Sequence, residues 1–221
     1  MRVALTFDTE HPSRPHCPPK VAERLLVALD AEGVRATFFI QGRWAASYPR
    51  LARRIADDGH LVGAHSFFHA SLPLLSDEGL DFDVAECERS VRAATGWSPR
   101  PWFRCPFGDG ARDPRVLAAL RRHGFLHVGW DVVAEDWEED RDAAQVEDYV
   151  VAGTRAVEGD DAVILLHSWP GSTVEALPRI LEGLRDLGAR FVTVAQMAGR
   201  DLGATPNPAL AAANPGREAT G

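Results

Sequence analysis

Short apolar runs alternate along this chain with longer stretches in which apolar residues recur every three or four positions. The first pattern predicts buried strands, and the second predicts helices that lay one apolar face on them. The predicted strands are Val3–Phe7, Ala36–Ile40, Leu61–Ala64, Pro101–Arg104, Leu126–Trp130, Ala162–Leu166 and Phe191–Val194. The predicted helices are Val21–Glu32, Pro49–Asp58, Asp83–Ala94, Pro114–His123, Ala143–Val157 and Val174–Leu187. Gly33, Gly59, Gly96, Gly124 and Gly188 stand where helices of this kind stop. Seven strand–helix repeats predict an α/β chain whose parallel strands form a closed or nearly closed barrel. An open doubly wound sheet is the alternative. The first strand is followed by no glycine-rich phosphate loop, which weighs against the nucleotide-binding form of that alternative. From about residue 200 periodicity ceases and Ala, Pro, Asn and Gly dominate. This leaves residues 1–200 as a single domain and predicts a flexible tail over 201–221.

Composition narrows the function classes. The chain has 221 residues and a formal net charge of −8, and Lys20 is its only lysine. A chain this acidic is a poor match for nucleic acid or an anionic membrane surface, both of which are held by basic patches. The three cysteines, Cys17, Cys87 and Cys105, show no Cys-x-x-Cys spacing, and their odd number argues against a disulfide framework. No basic segment precedes an apolar one at the start, and no apolar run has the length of a bilayer span. A cytoplasmic location is the expectation, although a chain whose signal peptide had been removed would read the same.

The candidate chemistry lies just past the strand ends. In a parallel barrel these ends share one rim. After the first strand come Asp8, Thr9, Glu10 and His11; after the third, His65 and His69. The fourth ends at Arg104, followed by Cys105-Pro106-Phe107-Gly108. The fifth leads to Asp131, Asp136 and Trp137, and the sixth to His167. Two imidazoles four residues apart can present two nitrogens to one divalent ion. With a carboxylate they would leave open positions for water and a substrate oxygen, while a second carboxylate takes the proton of that water and a separate histidine protonates the leaving group. An arginine would keep the base ionised, and an aspartate would raise the acid's pKa.

These segments resemble, in order, the motifs of the polysaccharide deacetylases with a NodB-type domain, carbohydrate esterase family 4. Thr6-Phe7-Asp8 is similar to the first motif and Ala36–Gly42 to the family's second strand. Gly59–His69 is similar to the metal-binding segment and Arg104–Gly108 to the third motif. Trp130 to Asp136-Trp137 matches the fourth and Ile164–His167 the fifth. The resemblance runs from Val3 to about Val194. It implies a distorted (β/α)7-type barrel and hydrolysis of an N-acetyl or O-acetyl group on a sugar, oligosaccharide or related small amide. It also implies a divalent metal, zinc above all, with cobalt or nickel as substitutes. By the same resemblance Asp8 is the general base, His167 the general acid, Arg104 the support of the base and Asp136 the partner of the acid. His65 and His69 are metal ligands.

The first motif departs from the family, which carries two adjacent aspartates there, the second being a ligand. Here that position is Thr9, a poor ligand for zinc, and Glu10 is the candidate to replace it. Strand alternation puts Asp8 and Glu10 on one side and Thr9 on the other. Asp8 turning to the metal, or a weak metal site, are the other outcomes, and His11 is a lesser stand-in. In the fourth motif Val133 occupies a position where relatives often carry a further aspartate.

Plainer readings stand beside these. His167 could cap an apolar strand, and Arg104 could be a buried ion-pair residue. Phe107, Trp137 and Trp169 could wall a sugar ring. Packing beneath the loops is the first reading for Phe107 and Trp137, whereas Trp169 is the better substrate wall. His11, His16, His123 and His127 have no evident partners in the sequence. Rival functions are an amidohydrolase of cyclic amides or ureides and an inactive NodB-type domain that only binds carbohydrate or protein. Retention of Asp8, Arg104, Asp136 and His167 together weighs against the second.

Overall fold

A computed structural model describes residues 1–197 of the chain. The tail predicted over 201–221 lies outside the described residues. The strands are β1 (Arg2–Thr9), β2 (Thr37–Ile40), β3 (Leu61–Ala64), β4 (Trp102–Phe103), β5 (Leu126–His127), β6 (Val132–Val133), β7 (Asp161–His167) and β8 (Arg190–Phe191). The helices are α1 (Pro19–Ala31), α2 (Gly42–Ser47), α3 (Pro49–Asp57), α4 (Asp77–Thr95), α5 (Pro114–Arg122), α6 (Ala143–Ala156) and α7 (Gly171–Asp186). No helix among the described residues is long and apolar enough to cross a membrane.

All strand pairs are parallel, in the order β5-β4-β3-β2-β1-β7-β6. The short β8 pairs with the start of β1 through Arg2↔Arg190 and Val3↔Phe191, below the point where β2 joins at Thr6↔Thr37. The two edges, β5 and β6, are linked only by residues 128–131. The strand predicted over Leu126–Trp130 therefore stops at His127, and a further short strand, β6, follows on the opposite edge. Val128 still donates its N–H to Phe103 O (2.7 Å), but Asp131 already donates to Val163 O on β7, at the other side of the sheet (2.8 Å). Between them the carbonyls of Val128 and Gly129 turn inward to the Arg104 guanidinium instead of to a strand. The result is the expected distorted α/β barrel, closed by the chain crossing from edge to edge.

Smaller differences have local causes. Ser76 caps α4 by accepting the Gly79 N–H at 3.1 Å, so this helix begins six residues before the predicted Asp83. The predicted strand Phe191–Val194 ends after Phe191, and Val194–Met197 form a 3-10 turn. The six-residue α2 is too short to show a period.

Alternation along the strands divides the side chains into two sets. Val3, Leu5, Phe7, Phe38, Ile40, Val62, Ala64, Ile164 and Leu166 face outward and pack under the helices in the main core. Ala4, Phe39, Val128 and Val163 face inward and form, with Val192, Val194 and Met197, a small apolar floor. Thr6, Asp8, Glu10, Arg104 and His167 stand above that floor at inward positions, all buried, with Leu165 between Val163 and His167 on β7. The barrel thus carries its charged groups at the C-terminal strand ends, where parallel barrels build sites.

Candidate active site

Arg104 is the largest wholly buried side chain. Its Nη1 donates to Asp8 Oδ1 (2.9 Å) and Thr6 Oγ1 (2.8 Å), its Nε to Val128 O (3.2 Å) and its Nη2 to Gly129 O (3.1 Å). The guanidinium lies on the Phe39 ring, 4.1 Å from its centroid. Gly63 makes this stack possible, because a Cβ there would meet the Phe39 ring at 2.7 Å. The fork of donors fixes Asp8 through one oxygen and leaves Oδ2 facing His65 Nε2 at 3.4 Å.

His65 is oriented from behind by Arg104 O, 2.9 Å from its Nδ1. A proton on Nδ1 leaves Nε2 with its lone pair toward the site. His69 follows a tight turn in which Ser66 and His69 both have φ of 60° and Ser66 Oγ accepts the His69 N–H (3.0 Å). The buried Asp83 of α4 anchors this turn by accepting the N–H groups of Phe67 and Phe68, each at 3.0 Å. Glu10 Oε2 faces His65 Nε2 at 3.3 Å and makes a close contact with His69 Nε2. One ligand atom from each of Glu10, His65 and His69 lies within 4.8 Å of the others. Thr9 Oγ1 is buried, has no hydrogen-bond partner and stands outside this group.

Opposite stands a second pair. His167 Nδ1 lies 2.8 Å from Asp136 Oδ1, and Asp136 Oδ2 accepts the His167 N–H (2.7 Å) and the Thr173 hydroxyl (2.6 Å). His167 Nε2 is left toward the cluster, 3.8 Å from Glu10 Oε1.

The electrostatics follow from burial and these partners. Burial opposes charge on Glu10, but the surrounding imidazoles of His11, His65 and His69 outweigh it and hold the carboxyl well below its usual range. His65 is also opposed by burial, yet the charges of Asp8 and Glu10 raise it. For His69 burial prevails and lowers the pKa despite Glu10. Burial again disfavours the His167 cation, but Asp136 overrides it and lifts the pKa to about 9. Burial raises the Cys105 thiol to about 12, so it is no nucleophile at neutral pH.

Two nitrogens and a carboxylate are a donor set suited to zinc and its neighbours. Glu10 Oε2 is buried without a hydrogen-bond donor while facing two imidazole nitrogens. Such an orphaned oxygen fits a cation, so the residues present are compatible with a divalent metal.

Of the three aromatic residues, Phe107 departs from the expectation of packing. Phe107, expected to pack, is 67% exposed, with its ring centroid 4.5 Å from that of His69. Trp169, the expected substrate wall, is half-buried and donates its indole N–H to Glu10 Oε1 at 3.2 Å. Trp137 is half-buried, edge-on to His167 at 5.3 Å. His11, given no role from the sequence, reaches Glu10 Oε1 through Nε2 at 2.9 Å. Asp83 and Thr173 were missed as well. Asp83 had a signal, since it lies three residues after Leu80 and just before Val84 on the buried stripe of α4. Among the other histidines, His60 Nδ1 accepts the Ala36 N–H, His127 Nδ1 the Cys105 N–H, and His123 pairs with Asp81.

Comparison with known proteins places this geometry. Residues 1–128 match the family model described as polysaccharide deacetylase. The peptidoglycan-N-acetylglucosamine deacetylase of Bacillus cereus is 30% identical over 199 residues, which cover 88% of this chain and 67% of that protein. The Listeria monocytogenes enzyme of the same name is 32% identical over 201 residues, covering 91% of this chain but 40% of its own length. A solved family 4 carbohydrate esterase from Streptomyces lividans, in complex with acetate, superposes with a TM-score of 0.77 at 30% identity, over 93% of this chain and 98% of that one. The two deacetylases are by name hydrolases of a non-peptide carbon–nitrogen bond, the enzyme class the family resemblance implies. With this fold, the ordered motifs and a match that spans more than half of its length, the chain belongs to the polysaccharide deacetylase family.

Proposed function

We propose that this protein is a metal-dependent deacetylase that removes the acetyl group from an N-acetylated sugar unit of a poly- or oligosaccharide. The observation that carries this reading is the pair of opposed dyads, Arg104–Asp8 and Asp136–His167, set on either side of Glu10, His65 and His69. A module that only binds sugar needs neither dyad. Relatives named for N-acetylglucosamine units of peptidoglycan support the substrate class.

Glu10, His65 and His69 would hold the metal. When bound, such an ion supplies Lewis acidity, polarising the acyl oxygen and making water more acidic. Asp8, its Oδ1 tied to Arg104, accepts the water proton on Oδ2 as the oxygen adds to the acyl carbon. Negative charge then develops on the former carbonyl oxygen. Among the described residues the Phe107 N–H has no hydrogen-bond acceptor. Cys105 donates to His127 and Gly108 to Cys105 O, while Pro106 has no N–H. Phe107 N–H is therefore the loop donor available to that oxygen. As the carbon–nitrogen bond breaks, His167 delivers its Nε2 proton to the departing amine, Asp136 holding the proton on Nδ1. Acetate and a free amino sugar result.

The test is acetate release from N-acetyl-chitooligosaccharides and from simple acetamides, with and without added zinc or cobalt. Release expected from the former should vanish in Asp8→Asn and fall strongly in His167→Ala. No release from any substrate, together with no metal bound by elemental analysis, would remove the proposal.

A further inference from the structure

Glu10 differs from an aspartate ligand in having one more rotatable bond, and its two oxygens are chemically equivalent. Something must choose which oxygen faces the imidazoles. Oε1 is taken by two donors, His11 Nε2 at 2.9 Å and Trp169 Nε1 at 3.2 Å. Oε2 is left toward His65 and His69.

Both donors are themselves held. His11 has a φ of 60°, donates its backbone N–H to Gln41 Oε1 (3.0 Å) and packs edge-on against His69 and Trp169, with centroids 4.9 and 5.8 Å away. Trp169 is edged on one side by His16 at 5.7 Å and faces His167 at 5.8 Å. An indole nitrogen is a donor only, so Trp169 cannot be a ligand. A His11 Nε2 that donates to Glu10 has no lone pair for a cation, and His11 lies outside the converging three-residue set.

We propose that His11 and Trp169 are positioning residues that clamp Oε1 of Glu10 and so select Oε2 as the single metal-ligating oxygen, which allows Glu10 to serve where Thr9 cannot. The inference rests on the reading of Glu10 as a ligand. It also commits the Trp169 indole edge to the carboxylate, not to substrate.

The test measures Zn²⁺ and Co²⁺ affinity by chelator competition, with the visible absorption of the Co²⁺ form as a second readout. Thermal unfolding of each metal-free variant checks its fold. Trp169→Phe, which keeps a ring, and His11→Ala should each weaken metal binding about 10–100-fold, the usual cost of losing a residue that orients a ligand. Both should change the Co²⁺ spectrum, because a freed Oε1 alters the coordination. His11→Gln, which keeps an N–H donor, should recover affinity. Glu10→Ala should lose binding altogether. Clamp variants that bind Co²⁺ with the affinity and spectrum of the parent, while Glu10→Ala does not bind, would overturn the clamp and leave the ligand standing. Undiminished binding by Glu10→Ala would remove both.

Discussion

Arg104 Nη1 stands 2.9 Å from Asp8 Oδ1 inside the barrel, with the guanidinium fully shielded from water. The same guanidinium donates to the carbonyls of Val128 and Gly129, where the chain crosses between the sheet edges. One side chain therefore ties the proposed base to the closure of the barrel, and catalysis and stability cannot be separated at position 104.

Removing one member of a buried ion pair leaves the other charged and unpaired. Arg104→Met should destabilise the fold by about 3–5 kcal/mol. Guanidinium chloride unfolding should show the midpoint fall, and Arg104→Lys should rescue little because an ammonium cannot reach four acceptors in a plane. A midpoint equal to that of the parent would contradict the bridging role.

The Asp136–His167 pair makes the metal-free protein sensitive to alkaline pH. The folded pKa of His167, about 9, lies above its ordinary 6.5, so its contribution to stability is complete below about 6.5 and is lost as pH rises through about 9. In Asp136→Asn the opposing effect of burial prevails and the pKa falls. Denaturant unfolding between pH 6 and 10 in the presence of a chelator should show a decline in the parent protein that the variant lacks. Proton NMR of His167 should report the lowered pKa directly.

Asp83 holds the turn that presents His69. Asp83→Ala frees two N–H groups, those of Phe67 and Phe68, and should cost about 1–3 kcal/mol for each that stays buried. The His69 turn should then exchange its amide hydrogens faster, and Zn²⁺ affinity should drop although no ligand has changed. Asp83→Asn, which retains one acceptor oxygen, should fall between the two.

Gly63 lacks a side chain where Phe39 passes beneath Arg104. A methyl group there overlaps the ring, so Gly63→Ala should destabilise by about 1–3 kcal/mol through displacement of Phe39. Thermal unfolding measures this, and Phe39→Leu in the same chain should recover part of it by opening space.

Much of the frame was legible because parallel strands buried on both faces read as continuous apolar runs. Alternation along β1 alone placed Asp8 and Glu10 together and Thr9 apart. The split of β5 from β6 was not legible, since two-residue strands carry no period and their boundary depends on where carbonyls find Arg104. His11 escaped because its positive φ ends the alternation at Glu10. The exposure of Phe107 and the partial burial of Trp169 were not legible either, because exposure past a strand end is set by which loop lies over it, and a local pattern does not contain that.

By itself the sequence determined the βα repeat, the shared side of Asp8 and Glu10 past the first strand and the residue types gathered on one rim. These follow from side-chain periods of 2 and 3.6, which act between neighbours in the chain. Only the tertiary structure decided which oxygen of Glu10 is free, which residue holds His69 in place and how the barrel shuts. Those outcomes depend on partners such as Trp169 for Glu10, 159 positions away, and Arg104 for Thr6, 98 away. Such contacts are chosen by packing and by the need of buried polar groups for partners, and both exist only once the chain has folded.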